Sequence, residues 1–255
     1  MAQPAQSLSD INRDYWDEKA ATTFKHEWVK VLSKQLTRTL REFAPLLVPS
    51  RDGQRSSPIR MLDYACGNGL ASWAMIPYVD VIRGIDIAPG MVTQYNQRVL
   101  ESEIPEGVMF AHEGDLLAPT DSIATDELHG FDLAITSMAL HHFSDPEAAI
   151  SALVARLKPG GTVAVVDWAS GGDKMPWGKG EGAAKHDAKH TCHEKSGEFL
   201  SWESLLPMLG RAGCDMATAY YAIIGEKSYM PEEATKVPGG VHANGFLAFA
   251  KRKAE

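Results

Sequence analysis

An α/β fold built on a parallel sheet is what this chain predicts, from three observations. Between residues 59 and 168, short β-type runs alternate with helical stretches. The runs are apolar almost throughout, as strands covered by helices on both faces must be. Turn and cap residues also mark the junctions: Ser144 or Asp145 followed by Pro146 opens one helix, and "LKPGG" ends it before the next strand.

Taken in order, residues 1 to 20 are polar with a Tyr15-Trp16 pair. Trp28, Val31, Leu32, Leu36, Leu40 and Phe43 then recur at helical spacing and predict a long amphipathic helix. "VPSRDGQRSSP" (48 to 58) has the composition of an exposed loop, and it divides an N-terminal helical cap (1–58) from the main domain (59–255). The main domain then runs as strand "IRMLDYA", a helix near 70 to 78, strand "VIRGIDI" and a helix from Pro89 to about 102. Strand "VMFAHEG", a weak helix near 121 to 128, strand "FDLAITSM", a helix from Asp145 to Leu157 and strand "GTVAVVDWA" follow. Residues 169 to 200 are rich in Gly, Lys and His without periodicity, as expected of a lid or binding segment inserted in the domain. A helix over 201 to 212, strand "DMATAYYAII", a polar loop and strand "NGFLAFAKR" complete the chain.

Bulk composition narrows the function. With 255 residues, 44% hydrophobic and 23% charged, the chain has the makings of a globular protein of enzyme size. No apolar run approaches the roughly 18 residues of a membrane span, and the start "MAQPAQSLSD" lacks the apolar centre of a secretory signal, so the cytoplasm is expected. Cys66, Cys192 and Cys214 are odd in number and widely spaced, which fits reduced thiols better than a disulfide framework. A formal net charge of -8 argues against a nucleic-acid partner. Nothing in the residue pattern addresses oligomeric state.

"DYACGNGLAS", after the first strand, carries the chemistry. Gly67 and Gly69 free the backbone for positive φ and for close approach of a ligand, where open α/β sheets bind theirs. Asp63 stands just before them. A pyrophosphate would be repelled by that carboxylate, and Ser72 occupies the last glycine position of the dinucleotide pattern, so a ligand with a cationic end fits better. Asp86 closes the second strand, where a carboxylate can accept both hydroxyls of a ribose. Asp115, just past the third strand, can accept an adenine amine. An amine, a ribose diol and an adenine without phosphate describe S-adenosylmethionine.

In order and spacing, "LDYACGNGLAS", "GIDIAPGMV", "EGDLL", "FDLAITSMALHHF" and "LKPGGTVAVVDW" resemble the motifs of class I S-adenosylmethionine-dependent methyltransferases. The resemblance implies a Rossmann-like three-layer sandwich whose seven-stranded, mostly parallel sheet has an antiparallel last strand. It places Asp63, Gly67 and Gly69 at the methionine end, Asp86 at the ribose, Met91 on the adenine face, and Asp115 with Leu116 at the adenine edge. Ser137 and the residues after it would border the methyl donor, and Ala65, Ile87, Gly114 and Met138 join the implied donor contacts. "YWDEKAATTF" and "KHTCHEKSGEF" are similar to segments of a small-molecule branch related to ubiquinone biosynthesis, in which the N-terminal helices and an insert cover the site.

His141 and His142 follow the fourth strand, where an acceptor would meet the donor, and either is a candidate general base or a structural residue. His186, His190, Cys192 and His193 have a spacing that could serve zinc, yet paired cysteines are absent. No metal is expected, and His190 or His193 is read as a lid residue that hydrogen-bonds the acceptor. Some relatives in the ubiquinone branch hold a divalent ion through an acid just before the histidine after the fourth strand; Leu140 stands there in this chain. Trp28 belongs to the helical stripe, whereas Tyr15 and Trp168 suit pocket walls. The expected activity is methyl transfer to an O, S or N atom of a small-molecule acceptor. The alternatives are a protein methyltransferase, a non-catalytic donor-binding module and, disfavoured by Asp63 and Ser72, an NAD oxidoreductase.

Overall fold

The computed structural model describes residues 6–50, 57–118, 123–169, 200–235 and 237–254. Seven strands form one sheet: β1 (Arg60–Tyr64), β2 (Val81–Asp86), β3 (Met109–Glu113), β4 (Phe131–Ser137), β5 (Leu157–Trp168), β6 (Cys214–Ile223) and β9 (Gly245–Arg252). Their spatial order is β3-β2-β1-β4-β5-β9-β6. The first five are parallel, and β9 alone runs antiparallel, to β5 on one side and to β6 on the other. The order reverses between β1 and β4, whose tips therefore diverge into separate connections and leave a crevice.

Alternation along the strands builds two cores. Met61, Leu133 and Ile135 face one side, where they meet Leu32, Leu36, Leu40, Ala44 and Leu47 of α2 (Glu27–Leu47) and Ala71, Ala74 and Met75 of α3 (Leu70–Met75). Leu62, Ala134 and Val163 face the other, against Ile150 and Leu153 of α5 (Pro146–Arg156) and Leu205 and Leu209 of α6 (Trp202–Arg211). The stripe expected on α2 is thus continuous with the main core except at Val31, which is exposed, and each aliphatic side chain so buried contributes about 1.5–3 kcal/mol. Helix α4 (Pro89–Leu100) begins at the tip of β2 and sends Tyr95 into the first core. Asp145 caps α5, its side chain accepting from the Ala148 amide at 2.8 Å.

Several elements differ from expectation. The polar opening, which the residue pattern does not mark as helical, holds α1 (Leu8–Lys19), capped by Ser7, one of the N-terminal helices that the resemblance implies. The helix expected to reach 78 ends at Met75: Ile76 keeps helical backbone and its amide donates to the Ser72 carbonyl, but Pro77 has no N–H to carry the ladder further. The described part of the helix expected near 121 to 128 is 3-10 rather than α-helical, at Ile123 and over Asp126–Leu128. The polar loop before the last strand holds a small hairpin, β7 (Ser228–Met230) with β8 (Val241–Ala243), and a helical turn α7 (Glu232–Thr235). Among the described residues no helix is long and apolar enough to cross a membrane.

Candidate active site

A cleft of about 1230 Å³ opens at the carboxyl ends of the central strands and is bordered by α1, the start of α2 and α7. At its floor the chain leaves β1 through a tight turn. Ala65 has φ 54°, Gly67 φ 52° and Gly69 φ 89°, and the Gly69 amide donates to the Cys66 carbonyl at 2.8 Å. A Cβ on Gly69 would lie 2.8 Å from the Tyr95 ring, so glycine is required there by space as well as by φ.

Asp86 locks this turn to β2. Its Oδ2 accepts from the Gly67 amide at 2.7 Å and its Oδ1 from the Ala88 amide at 2.9 Å. Burial pushes its carboxyl up to about 6, with those amides opposing the shift. Asp63 lies under the turn rather than on the cleft wall. It is 1% exposed, and its Oδ2 accepts from the Ser72 amide at 3.0 Å and the Ser72 hydroxyl at 2.6 Å. The Tyr95 hydroxyl donates in turn to Ser72 Oγ at 2.9 Å. Burial pushes Asp63 up to about 7.

Asp115 borders the cleft beside Tyr64. Its Oδ1 accepts from the Tyr64 hydroxyl at 2.6 Å and the Leu117 amide at 2.9 Å, and its Oδ2 from Ser9 Oγ on α1 at 3.2 Å. Burial pushes the Tyr64 phenol up, which keeps it a donor. Met91 is 2% exposed and clusters with Ala88, Ala20, Trp16 and Phe24 along the wall.

Beyond β4, Met138 also adopts a left-handed backbone, φ 56°, and a short 3-10 turn presents both histidines. His141 Nδ1 lies 2.6 Å from Oδ1 of Asp167, which is fully buried at the end of β5. The His141 amide donates to the other oxygen of the same carboxylate at 3.2 Å, and the Trp168 amide to Oδ1 at 2.7 Å. A carboxylate at Nδ1 holds the proton there and leaves Nε2 as the ring's accepting nitrogen. The two imidazoles lie 4.0 Å apart, and the Trp16 ring meets His142 edge-on at 5.3 Å.

The cleft wall therefore brings together Ala65, Gly67, Asp86, Ile87, Met91, Asp115, Ser137, Met138, His141 and His142. Asp63 and Gly69 support the turn from below. Gly114 donates its amide to the Asp86 carbonyl at 2.9 Å, and Leu116 packs on the second core. His190 and His193, with His186, Cys192 and Trp177, lie outside the described residues. Among the described residues no group of His, Cys, Asp or Glu could hold a metal. Asp167, Tyr64 and Asn12 are the site residues that sequence reading passed over. Asp167 had a signal: an acid at the end of an otherwise apolar strand, beside the strand that leads to the histidines.

This sheet order, with a glycine turn after β1 and acids at the tips of β2 and β3, is the fold of class I S-adenosylmethionine-dependent methyltransferases. The chain belongs to the methyltransferase domain family, which matches residues 30–219. An uncharacterized methyltransferase of Schizosaccharomyces pombe is 31% identical over 161 residues, 62% of this chain and 55% of that protein. The 27-O-demethylrifamycin SV methyltransferase of Amycolatopsis mediterranei is 28% identical over 160 residues, 62% of this chain and 51% of that one. The chain thus spans about half the length of these curated relatives. Magnesium protoporphyrin IX methyltransferase from Synechocystis, solved with bound S-adenosylmethionine, shares the fold at TM-score 0.64 and 15% identity, over 99% of this chain and 100% of that one.

Proposed function

We propose that the protein transfers a methyl group from S-adenosylmethionine to an oxygen, sulfur or nitrogen of a small-molecule acceptor, with His141 as general base. The observation that carries this reading is the His141–Asp167 pair on the wall of the cleft that also holds the glycine turn.

The residues fit the donor. Asp86 is a buried carboxylate on the cleft wall, held by the Gly67 and Ala88 amides, while Asp63 supports the glycine turn from below through Ser72. Asp86 would hold the ribose, Met91 the adenine face and Asp115 the adenine edge. When bound, the donor supplies a methyl group on a positively charged sulfur. The chain's own work is to orient the acceptor and take its proton at His141 Nε2 while Asp167 holds the ring in place. Asp167 is a positioning residue, since it acts through His141.

The cleft volume exceeds the roughly 300–1,000 Å³ of a pocket for one drug-sized ligand, which supports two ligands side by side. Trp16, Phe24 and Trp28 on its wall suit an acceptor with an apolar body. The relative named for rifamycin supports a small molecule as acceptor. Buried free thiols at Cys66 and Cys214 fit a reducing, cytoplasmic setting.

Labelled donor incubated with fractionated metabolites should yield a labelled small product. With that product's precursor, His141→Ala should lower kcat by about 10²–10⁴ and Asp167→Asn by a smaller factor, with KM and donor Kd within about two-fold of wild type. Label appearing on protein alone, or turnover untouched in His141→Ala, would sink the proposal.

A further inference from the structure

We infer that Asn12 supplies a second acceptor for the adenine amine of the donor, so that α1 distinguishes the base. This follows if the adenine lies at Asp115 and Met91, as proposed above.

Asn12 is 7% exposed and borders the cleft. Its Nδ2 donates to the Leu8 carbonyl and to the His142 carbonyl, each at 3.0 Å. Two carbonyl partners on one nitrogen settle which end of the amide is which. The other end, Oδ1, is buried and has no hydrogen-bond partner among the described residues. Such acceptors are uncommon in native proteins and point to a missing partner. Because Oδ1 can only accept, that partner must bring an N–H or O–H.

Helix α1 indicates whose hydrogen it is. Three residues earlier, Ser9 reaches Asp115 Oδ2; four residues later, Trp16 clusters with Ala88 and Met91. Positions three and four apart share one helix face. Asn12 therefore stands between the side chain on the proposed adenine-edge acid and the side chain packed with the proposed adenine-face methionine. An adenine amine carries two hydrogens. Asp115 Oδ1 is already filled by Tyr64 and Leu117, so Oδ2 has room for one of them, and Asn12 Oδ1 takes the other. A hypoxanthine base would instead set its carbonyl oxygen against Asn12 Oδ1.

The test compares S-adenosylhomocysteine with S-inosylhomocysteine by calorimetry on wild type, Asn12→Ala and Asn12→Ser. Wild type should prefer the adenine compound, and both variants should shrink that preference about ten-fold, chiefly by weakening S-adenosylhomocysteine. A purely structural role would weaken both compounds together; an unchanged preference in the two variants overturns the inference. Unchanged affinities for both compounds with a raised acceptor KM would overturn it as well, moving Asn12 to the acceptor side. If wild type bound neither compound, the donor placement itself would fall and this inference with it.

Discussion

Asp63 sits in a place where its charge is unwelcome. In the folded chain burial raises its carboxyl to about 7, against 3.8 in an unhindered chain. Between those values the folded state holds a proton that the unfolded state has released, so stability falls as pH rises from about 4 to 7 and levels off above that. Asp86 contributes in the same sense up to about 6. Asp63→Asn should therefore melt several degrees above wild type at pH 8 and lose the part of the slope between 6 and 7, as thermal scans across pH would show. Equal melting temperatures at pH 8 would mean that the Ser72 hydrogen bonds, not burial, govern this site. Strain is stored close by. Ala65 and Met138 hold left-handed backbone at the tips of β1 and β4, at about 1–2 kcal/mol each, and both border the cleft.

At the scale of elements, α1 is the most consequential. It touches the cleft's acids and histidines at once: Ser9 at Asp115, Asn12 at the His142 carbonyl, Trp16 at the His142 ring, and Asp17, whose Oδ1 accepts from the Gly90 amide at 2.6 Å. Trp16→Ala should weaken S-adenosylhomocysteine about ten-fold by calorimetry while moving Tm by only a few degrees, because Trp16 packs outside the two main cores. An unchanged Kd would separate α1 from the donor. Hydrophobic periodicity could not reveal this helix, since its cleft-facing side mixes Trp16 with the polar Ser9, Asn12 and Lys19. Its cap was legible: Ser7 accepts from the Asp10 amide, a Ser-x-x-Asp start. By contrast α2 and the seven strands were plain in the sequence, because burial against a sheet imposes an apolar stripe or run. The hairpin β7–β8 was not, as its strands are three residues each, too short for a pattern. Asp86 and Asp115 were legible as strand-end acids. Tyr64 was not, because a tyrosine at a strand end reads as core until its hydroxyl's partner, 51 residues away, is known.

Across the whole molecule, stability is graded. Strands β1, β4 and β5 are paired on both sides and covered on both faces, whereas β7 and β8 pair only with each other. Amide hydrogen exchange should be slowest in β1, β4 and β5 and faster in β7–β8 and α7. Exchange in the hairpin as slow as in β4 would show that the whole chain opens as one unit. The gradient suits the two ligands proposed for the cleft: its glycine turn grows from the doubly paired strands, and α7, beside the β7–β8 hairpin, borders the same cleft.

The antiparallel β9 slots between β5 and β6, yet of the seven sheet strands it is the last to be synthesised. While a ribosome is still making residues before 245, β5 keeps a bare edge and β6 has no neighbour, so the nascent chain must travel with an unpaired apolar strand exposed to chance partners.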